Sequence, residues 1–282
     1  MLQLKSLLFG TPGIPISAFP HDTLSGIRQV KKLGLDAMEI EFVRNINISE
    51  EKAIEVKALA KKLNIVLTCH GQYYINLASK NPKIIAASIE RMINAATRIW
   101  QCGGWSITWH MAYYLGRAKE KVYSIVKANL KKVLLALDEQ GIKIWIRPET
   151  GGKLTQWGSL DEICKISSEL ENVLPCIDFA HLHARSNGRY NSFEEFSQIF
   201  ETIENYLGAK ALRNMHIQVS GIAYAKYGER NHLNLKDSDF NYIDLLKAFK
   251  VFKIKGVVIT ESPNVESDAL LLKREWKKLK QN

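Results

Sequence analysis

Short runs rich in β-branched residues alternate with longer helix-patterned stretches along the whole chain. Six of the short runs end at or beside a histidine or a carboxylate. His70 follows Ile65-Val66-Leu67-Thr68-Cys69, and His110 follows Trp105-Ser106-Ile107-Thr108-Trp109. Glu149 follows Ile144-Trp145-Ile146-Arg147-Pro148, and Asp178 follows Val173-Leu174-Pro175-Cys176-Ile177. His216 lies within Asn214-Met215-His216-Ile217-Gln218, and Glu261 follows Val257-Val258-Ile259-Thr260. The alternation itself specifies βα units and a parallel sheet. Packing does not account for apolar runs that each end in a metal-ligand residue type.

The runs place eight strands. The first is near Leu7–Phe9 and the second is Ala37–Phe42; the third to sixth end at His70, His110, Glu149 and Asp178. The seventh contains His216 and the eighth ends at Glu261. Helices are predicted near Leu24–Leu33, Ser49–Leu63, Lys83–Gln101, Lys119–Glu139, Leu160–Leu170, Phe193–Tyr206, Tyr242–Phe252 and Asp268–Leu279. Ser49 is placed to cap its helix, with Glu50 and Glu51 in the first turn, and Gly141 stops the fourth. Eight such units in 282 residues fit an α/β fold of the (β/α)₈ TIM-barrel type. No composition shift divides the chain, so residues 1–282 are expected to form a single domain. Active sites of such barrels lie at the C-terminal ends of the strands, which would gather these residues at one mouth. The longest connection, about Ser220–Phe240, follows the seventh strand; connections of that length are usually functional.

Four scattered cysteines (Cys69, Cys102, Cys164, Cys176) form no CxxC pair, which points to a reducing compartment. There is no signal-peptide pattern and no apolar run of membrane-spanning length. The expectation is a cytoplasmic, monomeric protein that does not act in a membrane. Net charge is +10, which suits a polyanionic partner but also suits a lysine-rich solvated surface.

Imidazole and carboxylate are the ligands preferred by zinc and related ions. One histidine at a strand end is ordinarily a hydrogen-bonded packing residue. Six converging ligand types are another matter: carboxylates gathered without a cation would repel one another. His70, His110, Glu149, Asp178, His216 and Glu261 exceed one zinc coordination sphere, and Glu149 could bridge two ions. Asp178-Phe179-Ala180-His181 and Glu229-Arg230-Asn231-His232 could hold a third. His183 is a competitor for the role of His181, and His21 reads as ordinary surface.

At these residues the chain resembles endonuclease IV, the metal-dependent apurinic/apyrimidinic endonuclease family, in an archaeal-type form. The matching segments are His70-Gly71-Gln72-Tyr73-Tyr74-Ile75-Asn76-Leu77, Arg147-Pro148-Glu149-Thr150-Gly151-Gly152, Cys176-Ile177-Asp178-Phe179-Ala180-His181 and Thr260-Glu261-Ser262-Pro263. The resemblance implies a trinuclear zinc site; the ligand set, which exceeds one coordination sphere, leads to an expectation of two to three ions, with Mn2+ as the alternative occupant. It implies one ion on His70, His110 and Glu149, and a second on Glu149, Asp178, His216 and Glu261. A third would use His181 with Glu229 and His232. The chain departs from the better-known bacterial pattern in three places. Two residues separate Glu229 from His232, where that pattern has an aspartate, one residue and a histidine. Gln218 and Val219 stand where the family often has Asn-Asp. Met111-Ala112-Tyr113 replaces a glycine-containing turn.

The activity implied is base-excision DNA repair: hydrolysis of the phosphodiester 5′ to abasic sites in double-stranded DNA, with Glu149 as the central catalytic ligand. Such an enzyme must expose the lesion by flipping. Tyr73 and Tyr74 are candidates to wedge the gap, and Arg44 and Asn45 to enter a groove. The rival reading is a xylose-isomerase-like sugar isomerase or epimerase using Glu149, Asp178, His216 and Glu261 for a divalent metal. A metal-binding DNA-interaction protein without turnover is the third.

Overall fold

The computed structural model describes residues 3–281. Eight strands are parallel: β1 (Leu7–Pro12), β2 (Ala37–Glu41), β3 (Val66–His70), β4 (Ser106–Trp109), β5 (Trp145–Pro148), β6 (Cys176–Asp178), β7 (Met215–Val219) and β10 (Gly256–Thr260). Their order is β5-β4-β3-β2-β1-β10-β7-β6. Parallel bridges Ile146↔Val173 and Glu149↔Cys176 join the two ends, so the sheet closes into a TIM barrel. The predicted strand positions hold.

The helices are α1 (Thr23–Lys32), α2 (Glu50–Leu63), α3 (Pro82–Gln101), α4 (Lys119–Glu139), α5 (Leu160–Glu169), α6 (Phe179–Arg185), α7 (Phe193–Leu207), α8 (Tyr242–Val251) and α9 (Glu266–Gln281). Ser49 caps α2 by accepting from the Lys52 amide at 3.2 Å. Ser159 and Glu162 form a reciprocal capping box on α5. The main apolar core lies between the outward strand faces and the helices. A second, smaller cluster is formed by Leu4, Ala37, Trp105, Val257 and Ile259. Towards the C-terminal mouth the lumen carries buried polar groups, among them Glu149, Asp178 and Gln218, with His216 and its neighbour Glu39 beneath them.

Two elements differ from expectation. The connection after β7 is not an irregular loop: it forms an antiparallel hairpin, β8 (Gly221–Ala225) and β9 (Gly228–Leu233), which packs against α6. The short helix α6 itself starts directly after Asp178, whose carboxylate accepts from the His181 amide at 2.8 Å. One helical turn therefore returns His181 to the same side as Asp178. The sequence reading assigns no element here, because seven residues carry too little periodicity to stand out.

Candidate metal centre

His70 closes β3, while His110 and Glu149 lie one residue past β4 and β5, so all three stand at the C-terminal mouth. Their donor atoms lie within 4.8 Å of one another. Glu149 Oε2 is 3.3 Å from His70 Nε2, and Oε1 is 3.2 Å from His110 Nε2. The Nδ1–H of His70 donates to the Gly71 carbonyl at 2.8 Å, which leaves Nε2 free to ligate. Gly71 has no room for a side chain: a Cβ there would meet Trp109 Nε1 at 1.7 Å.

A second group joins Asp178, His181 and His232, again within 4.8 Å. Here the fit to a cation is sharper. His181 Nδ1–H donates to the Thr150 carbonyl at 3.1 Å, and His232 Nδ1–H to the Glu261 carbonyl at 3.0 Å. Their Nε2 atoms then face each other at 3.4 Å. Burial opposes a charge on His181, but Asp178, Glu149 and Glu229 raise its pKa to about 10, so without a metal a second proton lies between these two nitrogens, in the place a shared cation would take. Glu229 Oε2 reaches to 3.6 Å from His181 Nε2. Gly152 keeps that space open, since a Cβ would meet Glu229 Oε2 at 2.6 Å and His181 Cδ2 at 2.8 Å.

Glu149 connects the groups, because its Oε1 is also 3.3 Å from His181 Nδ1. Burial opposes its charge, but His110, His181 and His70 together hold its carboxyl well below the usual range. Other carboxyls respond oppositely. Burial pushes Glu261 well above the usual range, and the charges of Asp178 and Glu149 add to it. Burial also raises Asp178, against the pull of His181 and His232. Burial takes Glu41 up to about 8, with His70 pulling down and Glu39 and Glu149 pushing up. Oε1 of Glu149, Oδ2 of Asp178 and Oε1 of Glu41 are buried without a hydrogen bond. An acid-rich chamber with orphaned carboxylate oxygens is a cation site in its chemistry.

His216 is not brought to either group. Its Nε2 lies 2.9 Å from Glu39 Oε2, and its Nδ1 is 3.1 Å from Ser106 Oγ. His183 is also elsewhere, between the Arg189 carbonyl at 2.9 Å and Asp239 at 3.2 Å. Glu261 borders the second group through its backbone and stands 3.7 Å from His232 Nδ1. Glu39 and Glu41 are absent from the ligand types singled out in the sequence. The signal was present: Ala37-Met38-Glu39-Ile40-Glu41 alternates with period two and puts both glutamates on the lumen face.

Arg44 and Asn45 are exposed on the rim after β2. Tyr73 and Tyr74 are 60% and 64% exposed after β3. The Tyr73 amide donates to the Val43 carbonyl at 3.0 Å, which ties these two rim segments together. The Tyr73 ring meets His70 edge-on at 5.3 Å. Further exposed apolar side chains crown the same end, namely Ile16, Phe19, Leu115, Leu154 and Tyr227. Among the described residues, Arg44, Lys153, Lys226 and Arg230 make no ion pair and add positive charge to this rim.

Residues 27–281 match the family model described as a xylose isomerase-like TIM barrel. The chain belongs to that family. An uncharacterized protein of Methanocaldococcus jannaschii is 43% identical over 97% of this chain and 98% of its own. A probable endonuclease 4 of Mycoplasma pneumoniae is 25% identical over 70% of this chain and 68% of its own. Two solved structures superpose equally well. The endonuclease IV of Thermus thermophilus has a TM-score of 0.73 at 16% identity, covering 97% of this chain and 100% of that one. A D-tagatose 3-epimerase-like protein has a TM-score of 0.73 at 17% identity, covering 97% of each. These likenesses establish the barrel, and both chemistries occur among its neighbours. No helix among the described residues is long and apolar enough to cross a membrane.

Proposed function

We propose that this chain is a metal-dependent phosphodiester hydrolase that cuts double-stranded DNA 5′ to abasic sites, leaving a 3′-hydroxyl and a 5′ deoxyribose phosphate. The observation that carries this reading is the pair of ligand groups, His70–His110–Glu149 and Asp178–His181–His232, joined through Glu149. An epimerase of the single-metal kind would draw on Glu149, Asp178, His216 and Glu261. Here His216 lies beside Glu39 and outside both ligand groups, and that set has no use for His110, His181 or His232.

Zn2+ is the expected ion and Mn2+ the alternative, because the donors are imidazole and carboxylate. Divalent ions held by these two groups would supply hydroxide near neutral pH and positive charge for a phosphoryl group. The protein's own part is orientation. Carbonyls of Gly71, Thr150 and Glu261 fix the ring tautomers of His70, His181 and His232. Glu149 spans the groups and sets their separation. Rim residues Arg44, Lys153, Lys226 and Arg230 supply charge for phosphates, and Asn45 lies beside them. Tyr73 and Tyr74 offer faces on which bases stack around a displaced nucleotide.

The deciding experiment incubates zinc-loaded protein with end-labelled duplex holding one abasic site, and in parallel with ketose sugars. Nicking 5′ to the site with a polymerase-extendable 3′ end supports the proposal. Ketose epimerisation without nicking replaces it with the sugar-enzyme reading.

A further inference from the structure

His216 and Gln218 both face the barrel lumen, two residues apart on β7, and they have exchanged the places that the resemblance to endonuclease IV assigns. The register is decisive. Gln218 is the partner of Asp178 on β6 and of Ile259 on β10, so it stands at the level of the ligand chamber. His216 pairs with Cys176 and Val257, about 6–7 Å nearer the N-terminal end. The ring of His216 is wholly buried, with its Nδ1 3.1 Å from Ser106 Oγ and its Nε2, which makes no hydrogen bond, 2.9 Å from Glu39 Oε2 and outside both ligand groups.

We infer that Gln218 stands in for a cation at the middle of the chamber, so that this chain holds two metal ions and not three. The carboxamide is fully engaged. Its Nε2 donates to Glu39 Oε1 at 3.0 Å and to Glu261 Oε1 at 2.8 Å, and its Oε1 accepts from Cys176 Sγ at 3.3 Å. The two N–H groups thus sit between the buried carboxylate of Glu39 and the half-buried one of Glu261. In this orientation both amide hydrogens meet acidic side chains, and the amide oxygen faces Cys176 Sγ and not the chamber. Nε2 has no lone pair to offer a metal, so the only side chain that β7 brings to this level is a donor of hydrogen bonds. The two flanking groups keep their nitrogen ligands and do not depend on β7. This inference rests on the proposed function for its metal, but it concerns the number of ions and not the substrate.

The test is zinc per chain, counted by mass spectrometry on chelator-stripped, reloaded and gel-filtered protein. The wild-type chain should hold two ions, and Gln218→His should hold three, because imidazole restores a nitrogen donor beside Asp178 and Glu261. Three ions in the wild type would overturn the inference. So would two in a folded Gln218→His whose thermal unfolding is as cooperative as wild type. If the histidine variant does not fold, the wild-type count alone decides. Nicking of abasic duplex is assayed on the same samples. Two ions without nicking removes the proposed activity and leaves the inference standing; nicking with three ions does the reverse.

Discussion

Glu229 and His232 are three residues apart on β9, yet both reach His181. In a regular strand such a spacing puts side chains on opposite faces. The hairpin corrects this with a bulge: Tyr224 pairs with Glu229 and Ala223 with Asn231, so Arg230 has no partner. One extra residue restores a common face. Deleting Arg230 should therefore leave the number of tightly bound ions unchanged, because it removes the residue the bulge was absorbing. Metal analysis of the deletion variant checks this. Loss of one ion would mean that the bulged geometry itself is needed.

Glu149→Gln should be far more damaging than Glu229→Gln. Glu149 is fully buried and lies within 3.3 Å of three histidines, whereas Glu229 approaches one at 3.6 Å. Loss of the charge between the two groups should lower the nicking rate on the order of 10³-fold, the scale of losing a principal electrostatic element. Glu229→Gln should cost roughly 10- to 100-fold in metal affinity or rate. Single-turnover cleavage with saturating Zn2+ separates them. Equal rates for folded Glu149→Gln and wild type would sink the metal reading.

The metal-free protein should lose stability as pH rises. Glu41 is taken from its ordinary 4.5 up to about 8 by burial, so the folded state holds a proton that the unfolded chain releases earlier. Its contribution is full below about 4.5 and is lost between there and about 8. Glu261, raised in the same direction, adds to the trend. Glu41→Gln removes the Glu41 share, so its melting temperature in chelator should exceed that of wild type at pH 8 by more than at pH 5. The difference is on the order of a few kcal/mol at most. A parallel pair of pH profiles would show that Glu41 does not titrate as its surroundings require.

Binding to duplex should weaken steeply with salt if the rim meets phosphate. Replacing Arg44, Lys153, Lys226 and Arg230 together by glutamine removes four cations from the mouth. The slope of log affinity against log salt should flatten by up to about 0.9 for each phosphate left without its cation. A dissociation constant measured across a salt series gives this directly. An unchanged slope would place the DNA elsewhere, or make the +10 net charge a matter of solubility.

The barrel was legible because its signal repeats. Each β-branched run with a terminal ligand type reinforces the next, and His70, His110, Glu149 and Asp178 stand at or just past strand ends where the pattern put them. What was not legible depends on register and on local turns. A shift of two residues along β7 decides whether residue 216 or 218 faces the chamber, and that is set by pairing with β6 and β10. The partner of His216, Glu39, lies five strands earlier in the chain and becomes visible only once the barrel closes. Likewise the bulge at Arg230 and the seven-residue α6 are too short to carry a periodicity, yet together they place two of the three residues of the second ligand group, His232 and His181.

Tyr73 and Tyr74 stand just beyond His70, exposed at the mouth, where a wedge has to sit if it is to hold open a displaced nucleotide. Neither hydroxyl is needed by the ligand groups. Tyr73 meets His70 only edge-on, and the Tyr74 carbonyl accepts from Arg91 through the backbone. Replacing both by alanine should leave zinc content and melting temperature near wild type, since about two thirds of each side chain already faces solvent. Discrimination of abasic from intact duplex should fall. Stacking on an aromatic ring is worth about 1–3 kcal/mol per base, so the preference should drop on the order of tenfold or more. Competition binding with the two duplexes measures it. If the preference persists while the melting temperature falls, the tyrosines pack the β3 loop and the wedge belongs to another part of the apolar crown, with Phe19 and Tyr227 the next to test.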